Sequence, residues 1–365
     1  MALTALALAL VGCGGSGGPA GPAEEAAAKP QPPAPMTNPA LAFTYKPGGT
    51  NGGAVLCLMT SDGKTRKQLT QMKNGSYDNA AAWSSDGGTI AFVHTPGPCL
   101  STIQADGAGG NDPFIMDPRH IRPMDGDLDW VPGVPKLLYC SDDGDGTIYT
   151  RLMAVDLPSG QQGPRYQDLK ATLNLEESGI RQRIGLWGHG VGPDTDEGTP
   201  GFQGLIAYST VTGPICVIRV ATDAPSGLLV RADGRDSGPT AALLGWGGSE
   251  PDFSHDAGSI AFTDTANPDS GLWRVSITDT GTDVQFGIPV PVDDGQAAVG
   301  RPTWSPDGEW IAFGACYLTG PVTRYIDLWR TPVAGGSAVE MTQDPSTRKY
   351  DMAPDWNPAW QDDIP

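Results

Sequence analysis

Trp304-Ser305-Pro306-Asp307-Gly308-Glu309-Trp310-Ile311-Ala312-Phe313 decides the architecture. An aromatic residue ends a short strand, and a Ser/Pro/Asp/Gly turn reverses the chain. Pro306 pre-sets φ, Asp307 can accept from backbone amides, and Gly308 tolerates positive φ, so the unit is a β-hairpin. Its second strand, Ile311-Ala312-Phe313, is apolar at successive positions and therefore on both faces. Such a strand belongs to a sheet sandwiched between two neighbours, with Ala at its centre letting them approach closely.

The stretch recurs as Trp83-Ser84-Ser85-Asp86-Gly87-Gly88-Thr89-Ile90-Ala91-Phe92 and as Phe253-Ser254-His255-Asp256-Ala257-Gly258-Ser259-Ile260-Ala261-Phe262. Three further copies are degenerate. Asp129-Trp130-Val131-Pro132-Gly133 precedes Lys136-Leu137-Leu138-Tyr139, Trp187 precedes Gly204-Leu205-Ile206-Ala207-Tyr208, and Asp355-Trp356-Asn357-Pro358 comes last. The repeat anchors are thus Trp83, Trp130, Trp187, Phe253, Trp304 and Trp356, about fifty residues apart, the widest intervals holding loops around 188–203 and 232–249. A third strand (Gly271-Leu272-Trp273-Arg274-Val275, Asp327-Leu328-Trp329-Arg330-Thr331) and a fourth (Ala338-Val339-Glu340-Met341-Thr342) complete the unit. Four strands per repeat and six repeats predict an all-β, six-bladed β-propeller.

The ends predict how the ring closes. Trp356-Asn357-Pro358 opens a blade that the following residues do not finish, while Leu41–Tyr45, Ala54–Met59 and Lys67–Thr70 are strands lacking a first one. One blade built from both pairs the N-terminal strands with the C-terminal one and removes an exposed sheet edge.

The letters WSPDG, IAF, DLWR and EMT stand in the order of TolB-type propeller repeats, and residues 40 to about 360 resemble that family. The resemblance implies a non-catalytic module working by contact with a protein, peptide or envelope polymer, at the central funnel or the loops at one end. It does not extend to residues before 40, where TolB carries an α/β domain.

Residues 1–12 read as an export signal, since the apolar run ALTALALALVG is too short to span a bilayer as a mature helix. The run ends in Leu10-Val11-Gly12-Cys13, which resembles a lipoprotein cleavage box and makes Cys13 the candidate lipidation site. Gly14 after it implies, by the same resemblance, sorting to the periplasmic face of the outer membrane in a diderm host. Residues 13–39, rich in Gly, Pro and Ala without apolar periodicity, read as a tether, and 40–365 as the propeller.

Forty-two acidic against 23 basic residues give a net charge of −19. That balance excludes nucleic acid as a partner and leaves membrane contact to the lipid anchor alone. A monomer is expected. With Cys13 lipidated, Cys57, Cys99, Cys140, Cys216 and Cys316 form an odd set, so at least one thiol is unpaired. No CxxC occurs, and the five read as small buried hydrophobes or as one or two disulfides, with the pairing open.

No catalytic residue, cofactor or metal site is expected. HExxH and P-loop strings are missing, and no hydrolase-sized segment follows the propeller. Of the four His, at 94, 120, 189 and 255, His255 sits in a turn, while His189, in the inserted Gly188–Asp194 loop, is the one ligand candidate. Asp142-Asp143-Gly144-Asp145-Gly146 lacks the later acidic ligand of a calcium loop and reads as a turn. The competing expectation is a propeller lyase or hydrolase acting on envelope or extracellular carbohydrate, which would need several His or carboxylates to converge at the axis.

Overall fold

A computed structural model describes residues 38–47, 53–71, 75–95, 99–107, 112–114, 128–142, 150–157, 165–175, 180–191, 201–210, 214–223, 226–264, 271–292, 299–318, 324–342 and 349–360. Residues 1–37, which hold the expected export signal, Cys13 and all but the last two residues of the tether, lie outside the described residues, as do His120 and Asp143–Gly146.

Six four-stranded antiparallel blades make a six-bladed β-propeller. Blade 1 holds β1 (Leu41–Pro47), β2 (Val55–Met59) and β3 (Arg66–Gln68). Blade 2 holds β4 (Tyr77–Trp83), β5 (Thr89–Thr95), β6 (Cys99–Gln104) and β7 (Asp112–Phe114). Blade 3 follows with β8 (Leu128–Trp130), β9 (Lys136–Asp142), β10 (Thr150–Asp156) and β11 (Arg165–Asp168). A one-turn helix, α1 (Leu169–Thr172), then leads onward, capped by Asp168, whose Oδ1 accepts from Ala171 N. Blade 4 comprises β12 (Ile180–Val191), β13 (Gly201–Thr210), β14 (Ile215–Thr222) and β15 (Leu229–Arg231), with β16 (Ala241–Ala242) also on β14. In blade 5, β17 (Gly248–Phe253), β18 (Ser259–Asp264), β19 (Leu272–Asp279) and β20 (Val284–Phe286) are joined by β21 (Val290–Pro291). Blade 6 is β22 (Val299–Trp304), β23 (Trp310–Leu318), β24 (Arg324–Pro332) and β25 (Val339–Glu340). The last strand, β26 (Lys349–Trp356), pairs with β1, Leu41 facing Trp356, so blade 1 takes its first strand from the C-terminal part of the chain as expected.

Among the described residues the core divides into six apolar clusters, one for each interface between consecutive blades, and the Ile-Ala-Phe strand explains why. Its residues alternate between faces. Ile90 and Phe92 pack toward blade 1, against Ala42, Leu56 and Leu58. Ala91 and Val93 pack toward blade 3, against Leu137 and Tyr139. Ile260 and Phe262 likewise meet Ala207 of blade 4, Ile311 and Phe313 meet Ala261, and Leu41 and Phe43 meet Ala312. Each blade thus sets two large side chains toward its predecessor and presents a small one to its successor. The interface of blades 3 and 4 departs from the rule: there Leu138 stands in the Ala position opposite Ile206 and Tyr208.

The signature turns are built alike. Ser84 Oγ donates to Asp86 Oδ1 at 2.6 Å and accepts from Thr89 N at 2.9 Å, while Gly88 N donates to the same carboxylate oxygen at 2.9 Å. Ser254, Asp256 and Gly258 repeat the pattern, as do Ser305, Asp307 and Glu309. The fourth turn residue has φ of +67° at Gly87 and +72° at Gly308, where glycine is at ease, and +55° at Ala257, where a Cβ is strained.

Five of the six anchors face the first residue of the Ile-Ala-Phe-type core in the paired strand: Trp83 opposite Ile90, Trp130 opposite Leu137, Phe253 opposite Ile260, Trp304 opposite Ile311 and Trp356 opposite Leu41. In blade 4 the residue opposite Ile206 is Leu186, and Trp187 faces Leu205, one position further along. A two-residue irregularity between Arg181 and Ile184 shifts this strand against its neighbour.

Candidate functional site

Trp83, Trp130, Phe253, Trp304 and Trp356 stand at one end of the ring, at the C-terminal ends of the first strands, and hydrogen bonds link several of them from blade to blade. Trp83 N donates to Asp355 Oδ2 at 2.8 Å, and its indole Nε1 to Asp355 O at 3.2 Å. Trp304 uses Asp252 in the same way, N to Oδ2 at 2.9 Å and Nε1 to the carbonyl at 3.1 Å. Trp130 Nε1 donates to Ala82 O at 2.9 Å. In every case the acceptor is the residue just before the anchor of the preceding blade. The join of blades 6 and 1 differs: Trp356 N reaches Thr303 Oγ1 at 3.4 Å, and its buried Nε1 has no partner among the described residues.

Three residues before the anchors, Ala80, Glu250 and Arg301 take the left-handed conformation, with φ of 54°, 55° and 54°. They sit in bulges where the first strand slips by one residue against the second. Glu250 Oε2 accepts from Arg301 N at 2.6 Å, and Oε1 lies 3.8 Å from Arg301 Nε, so this level carries an ion pair between blades 5 and 6. Non-glycine residues in this region cost of order 1 kcal/mol each, so strain recurs around the axis close to the anchors.

Above that level the ring opens into an axial mouth, a cavity of about 270 Å³. Five blades contribute described lining residues, in two layers. The wall is made by Trp83, Trp130, Phe253, Trp304 and Trp356, with the preceding carboxylates Asp129, Asp252 and Asp355. The rim is made two residues after each anchor, by Ser85, Pro132, His255, Pro306 and Pro358. Three of those five are proline, whose φ is fixed, so the rim is stiff without any ligand. The rim turns also touch one another: a Cβ at Gly87 would lie 2.4 Å from Asn357 Oδ1.

The hairpin of blade 4 is longer than the others. Beyond Leu186 its strands stay paired for five more residues, to Val191 opposite Gly201, which carries it roughly 16 Å past the anchor level. His189 lies on this extension opposite Gln203, at the mouth end of the ring. His255 is exposed on the rim itself. His94 is elsewhere, four residues along β5 from the anchor level, with Nδ1 2.5 Å from Asp78 Oδ1. Among the described residues no three His, Cys, Asp or Glu side chains form a group fit to hold a metal ion.

Cys57, Cys99, Cys140 and Cys216 are buried. Burial pushes the Cys57 thiol up to about 12, with the Asp351 carboxylate adding to it, which makes this thiol inert. Burial also raises Cys99. Among the described residues no helix is long and apolar enough to cross a membrane.

The carboxylates just before the anchors were missed as contributors to a site. Asp in front of the aromatic residue in three of six repeats was the available signal, but its meaning is long-range in two of them, since Asp252 serves Trp304 and Asp355 serves Trp83, each in the next blade.

No protein-family model matches the sequence. No curated protein matches it either. Among solved structures, TolB from Acinetobacter baumannii superposes with a TM-score of 0.51 at 15% identity, covering 87% of this chain and 66% of that one. A nidogen/laminin complex gives 0.48 at 9% identity, covering 88% and 100%. The Cps50 (Swd1) β-propeller domain of Myceliophteria thermophila gives 0.48 at 12%, covering 84% of each chain. At such identities the likeness to TolB extends to the fold alone, over about two thirds of that protein's length.

Proposed function

We propose that this chain is an exported, lipid-anchored propeller of the cell envelope that binds a protein or peptide partner at its axial mouth without chemistry of its own. The observation that carries the reading is the mouth itself, a preformed concavity with an aromatic wall and a proline-stiffened rim. Concave sites with aromatic walls and a few convergent polar groups are the usual form of a binding site. Aromatic residues are also those that dominate binding energy at protein interfaces. The Leu10–Cys13 box supports the anchor, with Cys13 as the lipidated residue and residues 13–39 as the tether that holds the propeller off the membrane.

The test is capture of envelope proteins by the full-length chain and by a Ser85→Trp/His255→Trp variant whose rim is filled. A partner retained by the wild type and lost by the variant supports the reading. One retained equally by both places binding elsewhere on the ring. Palmitate labelling of wild type and Cys13→Ser tests the anchor, and equal labelling would refute it.

A further inference from the structure

We infer that the partner segment received at the mouth is an extended peptide that adds as a strand to the inner edge of β12, the first strand of blade 4. The inference rests on the reading of the mouth as a binding site and deepens it by naming the form of what enters and the element that holds it.

Five of the six first strands stop at their anchors: β4 at Trp83, β8 at Trp130, β17 at Phe253, β22 at Trp304 and β26 at Trp356. At that level they crowd one another around the axis, and the bonds of Trp83 to Asp355 and of Trp304 to Asp252 tie them together. β12 continues past it, through Trp187 to Val191. The first strand of a blade lies nearest the axis, so the side of β12 turned away from β13 overlooks the mouth. Among the described residues that side meets another strand at Ile180, opposite Thr150, at the far end of β12. Along 187–191, every second residue aims its main-chain N–H and C=O at the space over the rim. A row of main-chain donors and acceptors specifies its complement directly, another extended backbone.

Two further features fit the edge to that task. It belongs to a built sheet, not to a lone hairpin: Gln203, Gly204 and Leu205 of β13 pair with Ala221, Val220 and Arg219 of β14, and Val220 pairs in turn with Arg231 of β15. Phe202, 1% exposed, fastens the raised part to the core, and its amide donates to Thr222 Oγ1 at 2.9 Å. Glycine also recurs in this stretch, with Gly188 paired to Gly204, Gly190 to Phe202 and Val191 to Gly201. Glycine inside a strand weakens it and marks places where another backbone comes close. Strands rich in it are also those whose pairing is least fixed, so the inner edge gains most from a partner.

The full-length protein is titrated into a labelled hexapeptide of alternating threonine and valine, and into the same hexapeptide N-methylated at every residue, which keeps the side chains and has no amide to donate. Fluorescence anisotropy should show the first binding about tenfold or more tightly than the second, with little dependence on salt. Hydrogen exchange then locates the peptide: in the complex, the amides of 187–191 that do not bond β13 should slow by about tenfold or more, and those that do should stay unchanged. Gly188→Pro and His189→Pro separate the two sides of the strand, because adjacent residues turn their amides to opposite sides and proline removes the donor. One of the two should weaken the peptide at an unchanged melting temperature, and the other should lower the melting temperature. A lowered melting temperature in both would mean that both edges are already paired, and overturns the inference. Equal binding of the N-methylated peptide overturns it too. Protection of 187–191 that persists in Ser85→Trp/His255→Trp keeps the strand addition and counts against the mouth. Peptide binding lost in that filled-rim variant, with no protection of 187–191 in the wild type, keeps the mouth and overturns the strand addition.

Discussion

Asp355→Ala removes the side chain that joins blade 1 to blade 2 at the level of the anchors. In the wild type its Oδ2 accepts the Trp83 amide at 2.8 Å, and Trp83 is only 3% exposed, so water cannot replace the lost acceptor. A buried donor left unmade costs about 1–3 kcal/mol, and a bond to a charged group about 1.5–3. The expected loss is therefore about 2–3 kcal/mol. The indole bond goes to the Asp355 carbonyl and survives the substitution. At roughly 2 °C per kcal/mol for a long chain, the melting temperature should fall by about 4–6 °C. Asp355→Asn keeps an acceptor oxygen and should cost about half as much. Calorimetry and urea titration of the three proteins decide the matter. Equal effects of Ala and Asn, or a loss below about 0.5 kcal/mol for Ala, would show that the carboxylate bond does not bind the blades together.

Ala257→Gly should stabilise the chain by about 1 kcal/mol, because φ of +55° strains a Cβ that glycine lacks, and a thermal melt reads it. Ala261→Leu should destabilise by about 1–3 kcal/mol, since Ile311 and Phe313 already fill the space facing it; an unchanged denaturation midpoint would contradict the large-against-small packing. The hydroxyls of Ser84 and Ser254, with the amides behind them, hold Asp86 and Asp256 below the usual carboxylate range. Their stabilising contribution is then present above about pH 4 and lost as pH falls through the lowered folded values, so Asp86→Asn/Asp256→Asn should flatten the acid limb of a melting-temperature profile. Cys57, with its thiol raised to about 12, should resist a thiol reagent at pH 8 in the native protein and react once denaturant is added.

Blades 2, 5 and 6 were legible because their turn chemistry is local: Ser, Asp and Gly within five residues specify both the reversal and the register of the next strand. The closing blade was legible for a related reason, each half being an incomplete unit of the same repeat. Trp187 misled because Leu186 and Trp187 are both apolar and adjacent. Choosing between them requires the register of β12 against β13, and the irregularity after Arg181 alters that register without any Gly or Pro to mark it. The inserted hairpin was taken for a loop since Gly188, Gly190, Gly192 and Pro193 are turn formers, yet pairing with β13 keeps the first two in a strand. Nothing local announces the links between anchors, for an indole finds its acceptor in the neighbouring blade only once the ring exists.

The large-to-small packing makes the interfaces head-to-tail, a blade offering two large apolar side chains on one surface and Ala on the other, blade 3 excepted, where Leu138 takes the Ala position. Head-to-tail contacts close into a ring only when the rotation per unit sums to a full turn. A fragment of two or three blades keeps both unlike surfaces with no ring to consume them. Such pieces are complementary to further copies of themselves, so proteolytic fragments of this protein should assemble end to end into open oligomers whose size grows with concentration.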